Sequence, residues 1–152
     1  MSTTALKITT PREEPKLFTA NLEEGSTFSA TITELKSGHT PGRGDIWIVV
    51  ATDRTNDATK TFTISFCKDS DEGKVTAKIT DSDDGVSLFF NNYSDLQNPT
   101  FQVARTGTIQ YTFSSTEKTF LGSFNADIDK ADRSGDTYLC MGHYDTLLVS
   151  KG

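Results

Sequence analysis

The chain has 152 residues and a formal net charge of −6, about one domain's length and enough to bury roughly two-thirds of its unfolded surface. The acidic balance and the lack of any Lys/Arg run exclude the electrostatic footprint that a phosphate backbone requires, so no nucleic-acid partner is expected. No apolar run approaches the ~20 residues of a membrane helix, and Met1 to Thr10 lacks the charged-then-apolar pattern of a secretory leader; the sequence as written reads as soluble and cytoplasmic, or secreted if leaderless or trimmed.

Apolar residues make up only 34% of the chain, but ten Phe, four Tyr and one Trp bring large buried areas, so an aromatic-rich core is expected. The low apolar share comes from Ser and Thr, which suit half-exposed strands. Two cysteines, Cys67 and Cys140, allow one bridge at most and do not make a disulfide scaffold, which favours two free, partly buried thiols.

Residues 1–15 carry two prolines, a Thr cluster and the charged run Arg12-Glu13-Glu14 without an apolar period, and are expected to form a loose arm before a single β domain over 16–152. Short alternating runs at Lys16–Ala20 and Thr27–Leu35 flank a polar turn, with Phe28, Ala30 and Ile32 expected to face the core. Ser37 to Asp45 holds three glycines and a proline and reads as a loop. Ile46–Ala51 is apolar on both faces and reads as a central strand. After a polar turn at Asp53–Thr59, Phe62, Ile64 and Phe66 alternate inward.

Val75 to Ile79 and Val86 to Phe90 give two further strands between acidic glycine turns, and Phe101 with Val103 marks a short one. The clearest signal follows. Ile109, Tyr111 and Phe113, then Phe120, Gly122, Phe124, Ala126 and Ile128, recur at period two on either side of the polar tip Ser114–Thr119, which predicts a β-hairpin. Such a hairpin is marginal alone and must lay its apolar face on other strands. After a charged turn at Asp129–Asp136, Thr137–Met141 and Thr146–Val149 close the chain. The fold expected is all-β, a single-domain antiparallel β-sandwich or partly open barrel of about ten short strands.

Several clusters carry chemistry. Asp69-Ser70-Asp71-Glu72-Gly73 and Asp81-Ser82-Asp83-Asp84-Gly85 space carboxylates as a hard cation needs, which makes Asp69, Asp71, Asp81 and Asp83 the calcium candidates and calcium the one cofactor the sequence offers. Their glycines stand at the fifth position and the twelfth positions hold Thr80 and Asn92, so neither is an EF-hand; a seven-residue strand between them, about 23 Å long, would keep them apart.

Cys140, His143 and Asp145 supply the parts of a nucleophile system, yet Cys140 and His143 differ by three and face opposite sides of an extended strand unless Gly142 bulges. Arg43-Gly44-Asp45 spells an adhesion tripeptide and Asn92-Tyr93-Ser94 a glycosylation sequon. Asn91, Asn92, Tyr93 and Asp95 set amides and a carboxylate beside an aromatic ring, as a sugar's hydroxyls and C–H face require.

No catalytic set survives the spacing test, while loops rich in Asn, Asp, Gly and Tyr abound. The function expected is therefore a non-enzymatic binding or interaction module, with a small molecule, a glycan or a protein as partner and homo-oligomers allowed. Two alternatives stand beside it: a hydrolase using Cys140, His143 and Asp145, and a pore-forming β-protein that inserts Ser/Thr-aromatic hairpins into lipid as an oligomer.

Overall fold

The computed structural model describes residues 18–55, 58–68, 73–82 and 85–150. The loose arm expected at 1–15 lies outside them, as do the calcium candidates Asp69, Asp71 and Asp83. Eleven strands follow in order: β1 (Phe18–Asn21), β2 (Thr27–Ser29), β3 (Ile32–Thr40), β4 (Gly44–Thr55), β5 (Ala58–Cys67), β6 (Gly73–Thr80), β7 (Ser87–Asn92), β8 (Thr100–Ser114), β9 (Thr119–Asp129), β10 (Thr137–Leu147) and β11 (Val149–Ser150). The only helical element among the described residues is one 3-10 turn at Glu23–Gly25.

All eleven belong to one sheet, ordered β11-β3-β4-β5-β7-β8-β9-β10-β1-β2, with β6 paired to β8 off this path. The strand pairs are antiparallel except for the two-residue β11, which runs parallel to β3. The sheet curls until distant strands meet face to face: Phe18 of β1 stacks on Phe62 of β5 at 5.7 Å, and Trp47 of β4 meets Phe113 of β8 at 5.6 Å. Of the two architectures expected, the partly open barrel is the one formed.

The stretch between β2 and β3 ties the ends of the sheet together. Ala30 donates its N–H to the Phe18 carbonyl at 2.9 Å, and Thr31 donates to the Thr52 carbonyl at 2.7 Å, so the chain leaves β1 and joins β4 within two residues. That change of partner also changes parity. Phe28 and Ala30 face the core as expected, but Thr33 and Leu35 take over inside and Ile32 turns out, 41% exposed. Period-two patterning holds only while the strand keeps one pairing partner.

A second parity change occurs in β8. Ala104 pairs with Ile128 and Thr106 with Asp127, which leaves Arg105 as the extra residue of a β-bulge. Before it, Gln102 and Ala104 are buried; after it, Ile109, Tyr111 and Phe113 are. Phe101 and Val103, read in the sequence as marking a separate short strand, are the outer face of the same fifteen-residue strand as the hairpin.

The predicted hairpin stands, with Ser114 opposite Thr119, and it is central: β6 or β7 flanks one side and β10 the other. Phe18, Phe28, Phe62, Phe120 and Phe124 are fully buried, each contributing roughly 1.5–3 kcal/mol relative to exposure. Tyr144 stacks on Phe120 at 4.4 Å and satisfies its hydroxyl by donating to the Gln110 carbonyl at 2.8 Å.

Two expected loops are shorter than their composition suggests. β3 runs through Thr40 and β4 starts at Gly44, with His39 paired to Asp45, so the glycine-rich segment is mostly ladder. Gly38 is there for close approach: a Cβ on it would sit 3.0 Å from Ile48 Cδ1. The last two expected strands are one, β10, because Gly142 continues the extended backbone beneath the Phe124 ring, where a Cβ would meet Cε2 at 2.3 Å.

Candidate functional site

One end of the barrel carries Asn91, Asn92, Tyr93 and Asp95, the residues singled out in the sequence. Phe90 is buried at the end of the inner face of β7, and Asn92 and Ser94 follow it into a cleft of about 370 Å³ with Leu22, Lys60 and Gln102. An adjoining cleft of about 670 Å³ shares Gln102 and adds Phe101, Arg105, Asp129, Lys130 and Arg133. On the outer face, Tyr93 meets Phe101 edge to face at 5.9 Å and 73°. Phe101 is 64% exposed, so its ring is presented to solvent rather than packed.

Of the four residues singled out in the sequence, the structure gathers all near this end but gives them different work. Asn92 accepts the Ser94 N–H on Oδ1 at 2.9 Å in a local turn and lines the smaller cleft. Tyr93 supplies a half-exposed ring and donates its backbone N–H to the Thr59 carbonyl at 2.7 Å. Asn91 lies opposite Phe101 in the β7–β8 ladder. Asp95 closes its own loop, accepting the Gln97 N–H at 3.0 Å and facing Asn98 Nδ2 at 3.4 Å.

The charged floor was not legible as a site. The bulge aims Arg105 across the sheet into a fork with Asp129, Nε on Oδ1 at 2.9 Å and Nη2 on Oδ2 at 2.7 Å, with Asp81 Oδ2 accepting from Nη1 at 3.1 Å. The Arg105 hydrogen bonds hold the Asp129 carboxyl below the usual carboxylate range. Asp81, the described calcium candidate, is thus engaged by a guanidinium, and no group of three or more His, Cys, Asp or Glu suited to a metal occurs among the described residues. Buried Gln102 bridges strands by donating Nε2 to the Asp129 carbonyl at 2.7 Å. Only a bulge, which sequence alternation does not announce, brings Arg105 here.

The nucleophile set is not brought together. β10 runs without a bulge, so Cys140 points into the core while His143 and Asp145 are exposed on the outer face. Burial pushes the Cys140 thiol up to about 12, and its S–H donates to the Asn21 carbonyl at 3.1 Å. Cys67 is also free and half-buried. Arg43 and Asp45 of the adhesion tripeptide are engaged internally: Arg43 donates to Ser87 Oγ and to the Ser82 carbonyl, each at 2.6 Å, and Asp45 pairs with His39 at 2.9 Å. The hairpin tip assigned to membrane insertion closes the opposite end, and no helix among the described residues is long and apolar enough to cross a membrane.

No protein-family model, curated protein or solved structure gives a significant match to this chain.

Proposed function

We propose that the protein is a non-enzymatic binding module whose ligand is a neutral saccharide, taken at the end of the barrel built by Asn92, Tyr93, Phe101 and Gln102. The observation that carries this is Phe101: a large ring left mostly in solvent, propped on edge by Tyr93 and lining a cleft with Gln102 and Arg105, next to a second cleft lined by Asn92. An exposed aromatic face gives the C–H surface of a pyranose something to cover, and neighbouring amides give its hydroxyls directed partners. The Arg105–Asp129 fork adds a fixed donor-acceptor floor.

Binding of neutral oligosaccharides on a glycan array tests the reading. Hits should fall at least about tenfold in Phe101→Ala and in Asn92→Ala, the loss of one stacking or one directed hydrogen-bonding partner. Silence across a broad array, or hits untouched by either substitution, would overturn it.

A further inference from the structure

We infer that the opposite mouth of the barrel is a second binding site, for a monosaccharide-sized anion: a sugar carrying one phosphate, sulfate or carboxylate. A cleft of about 520 Å³ opens there between the β3–β4 ladder, the hairpin tip and β11, lined by Leu35, Lys36, Ser37, Trp47, Lys118 and Ser150, among others. That size lies within the ~300–1,000 Å³ of small-molecule sites. Among the described residues its charged lining is Lys36 and Lys118, both cations in a chain of net charge −6. At its rim Lys68 Nζ stands 4.3 Å from the centroid of the Trp47 ring and donates to Ser37 Oγ at 2.9 Å.

The partners of these cations are what points to a ligand. Lys68 rests on a neutral ring and a hydroxyl and acts on the Asp45 carboxylate only through space, that carboxylate being hydrogen-bonded by His39 at 2.9 Å. None of Lys36, Lys68 and Lys118 forms an ion pair among the described residues. Lys118 is moreover held with φ at 58°, a left-handed conformation that glycine adopts more cheaply, while its carbonyl accepts the Leu148 N–H at 2.7 Å. A turn that needed only to reverse the chain would favour glycine at that position. Two lysines lining one cleft, with a third at its rim, suit an anion, and the Ser37 and Ser150 hydroxyls suit the ring hydroxyls of a sugar.

Trp47 is the chain's single tryptophan, so its emission reports on this mouth alone. The full chain is titrated with glucose 6-phosphate, glucuronate, glucose 6-sulfate and plain glucose at matched ionic strength, with calorimetry on the same samples. The expected result is a saturable change and measurable heat with at least one of the three anions and none with glucose; which of them binds identifies the anionic group. The double variant Lys36→Gln/Lys118→Gln, which removes two half-buried charges outside the core, should weaken that binding by about tenfold or more with an unchanged melting temperature. Phe101→Ala should leave the titration as it is, which separates this site from the one at the other end. No binding of any of the three anions, equal binding of glucose, or full affinity in the double variant would overturn the inference.

Discussion

At the end of the barrel near Phe101 one cation is locked between carboxylates, Arg105 lying between Asp81 and Asp129, while Lys60, Lys130 and Arg133 also line the clefts there. At the end near Trp47 a cation comes with a hydroxyl and an indole, Lys68 being held by Ser37 and the Trp47 ring. Both ends are finished by a cation in the left-handed region, Arg133 at φ 60° and Lys118 at φ 58°, and each lines the cleft of its own end. The difference teaches how one sheet supports two chemistries. One mouth is floored by a bidentate Arg–Asp fork and bears an exposed ring; the other is lined by two lysines beside an indole, and the two proposals rest on that contrast.

The common core allows the comparison to be broken most severely. Phe62 touches Phe18, Phe28, Phe90 and Phe124, contacts that join strands leading to both ends. Phe62→Ala should cost about 3–5 kcal/mol in denaturant unfolding and weaken ligand binding at both ends together. A smaller effect sharpens the likeness between the ends. Lys118→Gly and Arg133→Gly each relieve a left-handed side-chain clash against the extra freedom of an unfolded glycine, for a net gain of about 0.5 kcal/mol by thermal unfolding; loss of stability in either would mean that the turn depends on the side chain.

The smallest effect separates the ends by pH. Asp129 is held below the usual carboxylate range chiefly by its hydrogen bonds from Arg105, so its contribution is in force above the ordinary carboxylate value and is lost as pH falls through the depressed folded value. Asp129→Asn should therefore reduce the fall in melting temperature between about pH 5 and pH 3 by on the order of 1 °C, since the pair is partly exposed and screened. The same comparison for Lys118→Gln should show no change in that fall.

Much of this architecture was legible because alternation is strict wherever a strand keeps one partner. The hairpin about Ser114–Thr119 and the inward set Phe62, Ile64 and Phe66 follow directly from it. What was not legible lies where pairing changes: the exchange at Ala30–Thr31 that expels Ile32, and the bulge that joins two expected strands and aims Arg105 at Asp129. Glycine was overread as loop at Gly38 and as a break between two strands at Gly142, where it serves close packing inside strands. The sugar-type cluster was half legible: Asn92 and Tyr93 announce themselves in one loop, but Phe101 joins them only through cross-strand pairing. The Trp47 mouth could not be seen at all, since Lys36, Trp47, Lys118 and Ser150 come from four strands or turns.

The central claim is that one curled sheet holds two sites of different chemistry at its two ends. Backbone amide chemical-shift mapping of the full chain tests it most directly, with a neutral oligosaccharide and then glucose 6-phosphate added to the same sample. The account predicts shifts at residues 92–103 and 129–135 for the first, and at Trp47, Lys118 and Ser150 for the second, with neither ligand displacing the other. Both ligands shifting the same end, or neither shifting any residue, would contradict it.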